Sequence, residues 1–109
     1  MASTYKVLGQ SNPSATTATT LYTVPSATQA VVSTISVCNQ ASTAATFRIA
    51  VRPAGAALAA QHYIVYGATV PASDSTMITV GLTLGATDVV TVYASSANLS
   101  FNAYGSEIA

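Results

Sequence analysis

The side chains that could perform acid–base, nucleophilic or metal chemistry are few in this chain. It has one histidine, His62, one cysteine, Cys38, and three carboxylates, Asp74, Asp88 and Glu107. A Ser–His–acid triad would have to use His62 as its base, and His62 alternates with apolar neighbours, where a single histidine is usually a packing residue. A zinc or calcium site would need several ligands from this scattered set. We therefore predict no metal site and no cofactor.

The carboxylates fit turns better than they fit a catalytic acid pair. Asp74 lies in a Ser-Asp-Ser sequence and Asp88 follows Gly-Ala-Thr, and both sequences are typical of turns. Glu107 is close to the C-terminus, so a glycosidase-like pair is not expected. Glycine-rich phosphate loops and His-Glu-x-x-His are also absent from the sequence. We predict no catalytic residue and expect that the protein is not an enzyme.

Charge is unusually scarce in this sequence. The chain has three basic and three acidic residues in 109, whereas a typical soluble domain is about 25% charged. Three basic residues are too few to hold nucleic acid electrostatically. Threonine, serine and proline interrupt every apolar run well before about 18 residues, so no membrane span is predicted. The N-terminus lacks the apolar core of a secretory signal, so we expect synthesis in a cytoplasm and a role within a protein assembly.

The elements that carry these residues are predicted to be β-strands, because apolar side chains recur at every second position. In residues 46–52, Phe47, Ile49 and Val51 share one face, whereas the two arginines share the other. A helix would instead group its apolar residues at spacings of three and four. The predicted strands are residues 5–8, 21–24, 29–39, 46–52, 61–66, 77–85, 88–94 and 98–104.

Two of these segments, residues 61–66 and 88–94, are apolar on both sides, which predicts strands that are covered on both faces. Residues 53–60 are predicted as a loop with at most one or two helical turns, and residues 10–20 as a low-complexity extended arm. The chain is thus predicted as one domain, residues 1–109, with an all-β fold: an antiparallel β-sandwich of about seven to eight strands. A jelly roll and an immunoglobulin-like sandwich both fit the pattern.

Core and interface residues are predicted from their faces and from their types. Tyrosine occurs six times, and tyrosine and arginine are favoured at protein interfaces. The predicted core residues are Phe47, Ile49, Ile78, Val80, Leu82, Leu99 and Phe101. The predicted interface residues are Tyr5 and Lys6 near the N-terminus, Arg48 and Arg52 on an exposed strand face, and Tyr104 near the C-terminus.

Three blocks of the sequence resemble a pattern found in small virion proteins of tailed bacteriophages, notably phages of cyanobacteria. The blocks are Leu21–Pro25, Ala30–Asn39 and Ala45–Val51. They comprise a Leu-Tyr-Thr-Val-Pro strand, a long Val/Ser/Thr strand that ends in Asn, and an alternating return strand. Residues 83–90 and 98–102 are similar as well. These motifs are structural, so the resemblance carries over no active residues.

The resemblance implies a β-sandwich that decorates a capsid or forms part of a tail or fibre. From it we expect a capsid decoration protein, or cement protein, on the outer capsid surface of the virion. It would bind the major capsid protein, stabilise contacts between capsid subunits and assemble as a homotrimer. The alternatives are a tail, baseplate or fibre component, and a carbohydrate-binding module that recognises a host surface glycan through its tyrosines and asparagines.

Overall fold

The computed structural model describes residues 3–109, which form eight β-strands and two short 3₁₀ turns. The turns, Pro53–Gly55 and Ala60–His62, lie between the fourth and fifth strands, where the sequence predicts at most one or two helical turns. The all-β prediction and the predicted number of strands are confirmed. The strands are β1 (Ser3–Ser11), β2 (Thr19–Thr23), β3 (Gln29–Asn39), β4 (Ala45–Arg52), β5 (Tyr63–Val70), β6 (Ser75–Leu84), β7 (Val89–Ala94) and β8 (Leu99–Ile108).

The strands are arranged in two antiparallel sheets, each with four strands. Sheet A has the order β1-β8-β3-β6, and sheet B has the order β2-β7-β4-β5. The first strand pairs with the last, the second with the seventh, the third with the sixth and the fourth with the fifth. This order is that of a hairpin rolled into two layers, which is a jelly roll. An immunoglobulin-like order is excluded, because β4 and β5 are the one consecutive pair that are neighbours in a sheet of residues 3–109.

The core lies between the two sheets and uses the apolar positions that alternate along the strands. Phe47 on β4 is 1% exposed, and Phe101 on β8 is completely buried. Their rings meet edge to face, with centroids 6.1 Å apart, so the two sheets contact each other through this aromatic pair. Ile49 and Leu99, two further predicted core residues, are completely buried in the same cluster.

The edge strands are less buried than the sequence predicts. Ile78, Val80 and Leu82 pack against the core but are only partly buried, because β6 is an edge strand of sheet A. The prediction that residues 61–66 form a strand covered on both faces is wrong. β5 begins at Tyr63, lies at the edge of sheet B and exposes most of its side chains. A sequence pattern with apolar side chains on both faces fits a buried strand and also fits an edge strand that exposes aromatic side chains, so the pattern alone did not separate the two.

β7 behaves as predicted for residues 88–94, since both of its faces are covered. Val90 and Val92 are completely buried in the core. On the opposite face, Val89 and Thr91 are each only 6% exposed. The connection between β4 and β5 folds over that outer face and supplies the cover.

Of residues 10–20, predicted as an extended arm, residues 12–18 connect β1 to β2 across one end of the sandwich, whereas the first two and the last two belong to those strands. The Asn12 side-chain amide donates a hydrogen bond to the carbonyl oxygen of Leu99 at 2.7 Å. The backbone N–H of Thr16 donates to the carbonyl oxygen of Ala94 at 2.8 Å. The segment is therefore hydrogen-bonded to β7 and β8 of its own chain.

Candidate functional site

The residues with acid–base chemistry are used in local structure. His62 lies in the second 3₁₀ turn, where its Nδ1 accepts a hydrogen bond from the backbone N–H of Ala59 at 3.1 Å. The carboxylate of Asp88 accepts hydrogen bonds from the backbone N–H groups of Ala54 and Gly85, both at 2.8 Å. Within residues 3–109, no group of three His, Cys, Asp or Glu side chains could hold a metal ion. No helix in that range is long and apolar enough to cross a membrane.

Three of the five predicted interface residues, Tyr5, Lys6 and Tyr104, line one groove on sheet A. Tyr5 and Val7 lie on the outer face of β1, and Tyr104 pairs with Val7 from β8. Their side chains are exposed by 84% for Tyr5, 48% for Val7 and 38% for Tyr104. The groove is shallow, has a volume of about 590 Å³ and also includes Val31. We call it the sheet A groove.

Lys6 is exposed, like its neighbours on β1, and its side chain pairs with Glu107 on the adjacent strand β8. Its Nζ lies 2.8 Å from Oε1 of Glu107, and the hydroxyl of Tyr22 donates to Oε2 of Glu107 at 2.5 Å. Hydrogen bonds from Lys6 and then from Tyr22 lower the pKa of Glu107. Burial, followed by the bond to Glu107, raises the pKa of Tyr22. Lys6 thus has a partner within the chain, and a lysine on an edge strand disfavours pairing with a foreign strand.

Arg52 lies at the end of β4, and its guanidinium is engaged within the chain. Its Nε donates to Oγ1 of Thr91 at 3.1 Å. Its Nη1 donates to the carbonyl oxygens of Gly55 at 3.4 Å and Ala56 at 3.1 Å. These bonds hold the first 3₁₀ turn over the outer face of sheet B. Arg52, predicted as an interface residue, therefore closes a loop over β7.

Arg48 lies on the same strand, and its guanidinium is placed between two tyrosine rings. It pairs with Tyr66 on β5 and with Tyr93 on β7, and its Cζ is 4.2 Å from each ring centroid. Both distances are within the range of cation–π attraction. In the part of the chain that the structure describes, the guanidinium makes no ion pair and no hydrogen bond. Every buried side-chain nitrogen in this part has a hydrogen-bond partner. Because the nitrogens of Arg48 have no such partner, they are not buried, and their N–H groups reach solvent.

A second groove lies beside Arg48 on the outer side of sheet B. The rings of Tyr63 and Tyr66 meet at 86° with centroids 4.9 Å apart, and Tyr66 is 65% exposed. Leu58 and the two alanines that follow it complete the lining of the groove, whose volume is about 490 Å³. We call Arg48 and this groove the arginine–tyrosine site, and its main residues are Arg48, Leu58, Tyr63 and Tyr66.

The sequence identified Arg48 but not the tyrosines beside it. Alternation along β4 places Arg48 on an outer face, whereas contact with Tyr66 and Tyr93 depends on the register of three strands. A signal was present, because tyrosine and arginine are favoured at interfaces, but it did not give their positions relative to each other. Comparisons with protein-family models, curated proteins and solved structures found no match to this chain.

Proposed function

We propose that this chain is a structural protein of a bacteriophage virion that binds the outer capsid surface and stabilises contacts between major capsid proteins. The observation that carries this proposal is the sheet A groove. Tyr5, which is 84% exposed, lies there with Val7 and Tyr104 on a chain that has only six charged residues. Exposed apolar patches of this kind mark interaction surfaces. The sequence resemblance to small phage virion proteins supplies the class of partner.

The physical properties of the surface suit a contact that is repeated many times on a particle. Tyrosine contributes apolar area together with a hydroxyl that can find a polar partner at the rim. A contact dominated by neutral groups depends little on salt, which screens charges beyond about 8 Å at physiological ionic strength. When one assembled oligomer binds several capsid subunits, individually weak contacts add up through multivalency.

The location of the chain on the particle tests the proposal. Antibody labelling of purified virions should mark the whole head, and quantitative mass spectrometry should find a copy number comparable to that of the major capsid protein. A label confined to the tail, with few copies in each particle, would instead assign the chain to the tail, baseplate or fibre.

A pair of matched variants tests the surface itself. Replacing Tyr5 and Tyr104 together by serine should release the protein from the head, because the sheet A groove loses its aromatic area. Met77→Ser is the control, since Met77 is also exposed, at 65%, but does not line the groove. Retention of the double tyrosine variant on the head would rule out this groove as the capsid-binding surface.

A carbohydrate-binding module is the second candidate, and the exposure of Tyr66 favours it. Its ring stands at a right angle to that of Tyr63 beside an open groove, where the C–H face of a sugar ring could stack on it. Glycan-array binding should then be lost in Tyr66→Ala and kept in Tyr5→Ala. If no host polysaccharide is bound, this candidate is removed.

A further inference from the structure

Four of the six charged side chains are engaged in ion pairs or in several hydrogen bonds within the chain, and one positive and one negative side chain are not. Lys6 and Glu107 form an ion pair at 2.8 Å. Arg52 and Asp88 each make hydrogen bonds that hold the turn between β4 and β5. These four account for two charges of each sign within residues 3–109. The two that remain are Arg48 and Asp74.

Arg48 is a preorganised donor for a carboxylate. The rings of Tyr66 and Tyr93 lie on either side of its guanidinium and restrict its orientation, while its N–H groups reach solvent. A planar guanidinium matches the two oxygens of a carboxylate and is more weakly hydrated than an ammonium group. Since the side chain is already ordered, forming such a pair would cost less conformational entropy than it would for a free arginine.

Asp74 is a suitable acceptor, because it lies in an exposed but well-anchored turn between β5 and β6. Its Oδ1 accepts the backbone N–H of Ser75 at 2.8 Å, whereas its Oδ2 makes no hydrogen bond in the part of the chain that the structure describes. The turn is tied to Asn39, whose side chain donates to the carbonyl oxygen of Pro71 at 3.3 Å. The backbone N–H of Asn39 donates to the carbonyl oxygen of Asp74 at 2.8 Å.

The groups beside the two charges are also complementary. Pro71 and Ala72 are exposed in the same turn as Asp74, and they present a small apolar surface. The arginine–tyrosine site offers the exposed ring of Tyr66 next to Arg48. Arginine and tyrosine are the residues that most often dominate binding energy at protein interfaces. An apolar turn that carries a carboxylate fits this site in both charge and polarity.

We propose that the β5–β6 turn of a second copy of this chain occupies the arginine–tyrosine site, with Asp74 of the second copy paired with Arg48. The contact joins two different surfaces of the chain. It can therefore occur twice across a two-fold axis, or once per subunit around a closed ring. The proposal concerns self-association and does not depend on the capsid assignment.

A charge-swap experiment tests this contact. Light scattering coupled to size-exclusion chromatography should show that the wild-type chain self-associates. Arg48→Glu and Asp74→Arg should each weaken association by roughly tenfold or more, because each places like charges in contact. The double variant Arg48→Glu/Asp74→Arg should recover most of the lost association, since the pair is restored with its signs reversed.

Two control variants separate this contact from unfolding and from general charge effects. Asp74→Asn removes the charge and keeps an oxygen for the Ser75 N–H, so it should weaken association without lowering the melting temperature. Thr79→Glu adds a negative charge on an exposed position of β6 and should leave association unchanged. An equimolar mixture of the Arg48→Glu and Asp74→Arg chains should re-form a two-fold pair completely, whereas a three-membered ring would keep one mismatched contact.

Three results would overturn the proposal. The first is a wild-type chain that remains monomeric at its highest soluble concentration. The second is an oligomer that Asp74→Asn and Asp74→Arg leave unchanged. The third is dependence on Arg48 without dependence on Asp74, which would show that a different group of the second copy pairs with Arg48. If the chain is monomeric in solution and antibodies against it still label the virion head, this contact is overturned and the capsid proposal stays in place.

Discussion

Arg48 and Arg52 lie four residues apart on the outer face of β4, yet their surroundings differ completely. Arg52 donates to one side-chain hydroxyl and two backbone carbonyls, and the turn that it holds covers β7. Arg48 contacts two tyrosine rings and has N–H groups that reach solvent. One arginine stabilises the fold, and the other presents a charge at the surface in a restricted orientation.

The difference arises from what reaches each arginine from elsewhere in the chain. The connection between β4 and β5 returns over the end of β4 and supplies carbonyl groups to Arg52. The middle of the sheet has no such cover, so the neighbours of Arg48 are the cross-strand residues Tyr66 and Tyr93. Residue type and strand alternation are the same for both arginines. Their roles are therefore set by tertiary placement.

A substitution on the inner face of β4 should lower stability more than a substitution of either arginine on the outer face. Phe47 is 1% exposed and packs against Phe101, so Phe47→Ala should leave a cavity and lower the free energy of unfolding by about 3–5 kcal/mol. Denaturant titration followed by circular dichroism measures this loss. Met77→Ala, at a side chain that is 65% exposed, is the control and should change stability by less than about 0.5 kcal/mol. Equal losses would show that Phe47 is not a core residue.

Removing Arg52 should have the next largest effect on stability. Arg52→Ala breaks the bonds to Thr91, Gly55 and Ala56, and we expect a loss of about 1–3 kcal/mol, since hydrogen bonds from charged groups are the stronger ones. Hydrogen exchange should also show faster opening of residues 53–57 than in the wild type. If the loss is no greater than for Arg48→Ala, the contrast between the two arginines is wrong.

Removing Arg48 should affect stability less and association more. Arg48→Ala removes two cation–π contacts at a partly exposed position, for which we expect a loss of about 1 kcal/mol in the free energy of unfolding. Arg48→Lys keeps the charge but not the planar fork, so its melting temperature should stay close to that of the wild type while association weakens. Full association of Arg48→Lys would show that the charge alone is sufficient.

The fold was largely predictable from the sequence, because period-two alternation is a local signal. The alternation of Phe47 and Ile49 on β4 was enough to place both residues in the core. The strand order was not predictable, since a jelly roll and an immunoglobulin-like sandwich use the same alternating strands. Contacts between strands were not predictable either. A Cβ at Gly105 would lie 1.9 Å from the carbonyl oxygen of Val31, and only the packed sheet reveals this contact.

The candidate sites were predictable only in part, for the same reason. Tyr5 and Tyr104 were identified by type, and strand pairing brings them into one groove although they lie at opposite ends of the chain. Tyr66 was missed, because it lies in a segment that reads as a strand covered on both faces. The partner of Lys6 was also missed, since Glu107 is distant in sequence and reaches Lys6 through the pairing of β1 with β8.

Lys6 is paired with an opposite charge, Glu107, whereas Arg52 is held by hydrogen bonds and Arg48 by tyrosine rings. Breaking the Lys6–Glu107 pair should have the smallest effect on stability. Glu107→Gln should cost about 1 kcal/mol or less at neutral pH, because the lysine is partly exposed and the pair is partly screened by solvent. The folded-state pKa of Glu107 is lowered, so the stabilisation is complete above the unfolded-state pKa of about 4.3 and is lost as the pH falls through the folded-state value. Thermal melts of wild type and variant from neutral to acidic pH should therefore converge on acidification. A gap that stays constant down to acidic pH would mean that the negative charge is not what Glu107 contributes to stability.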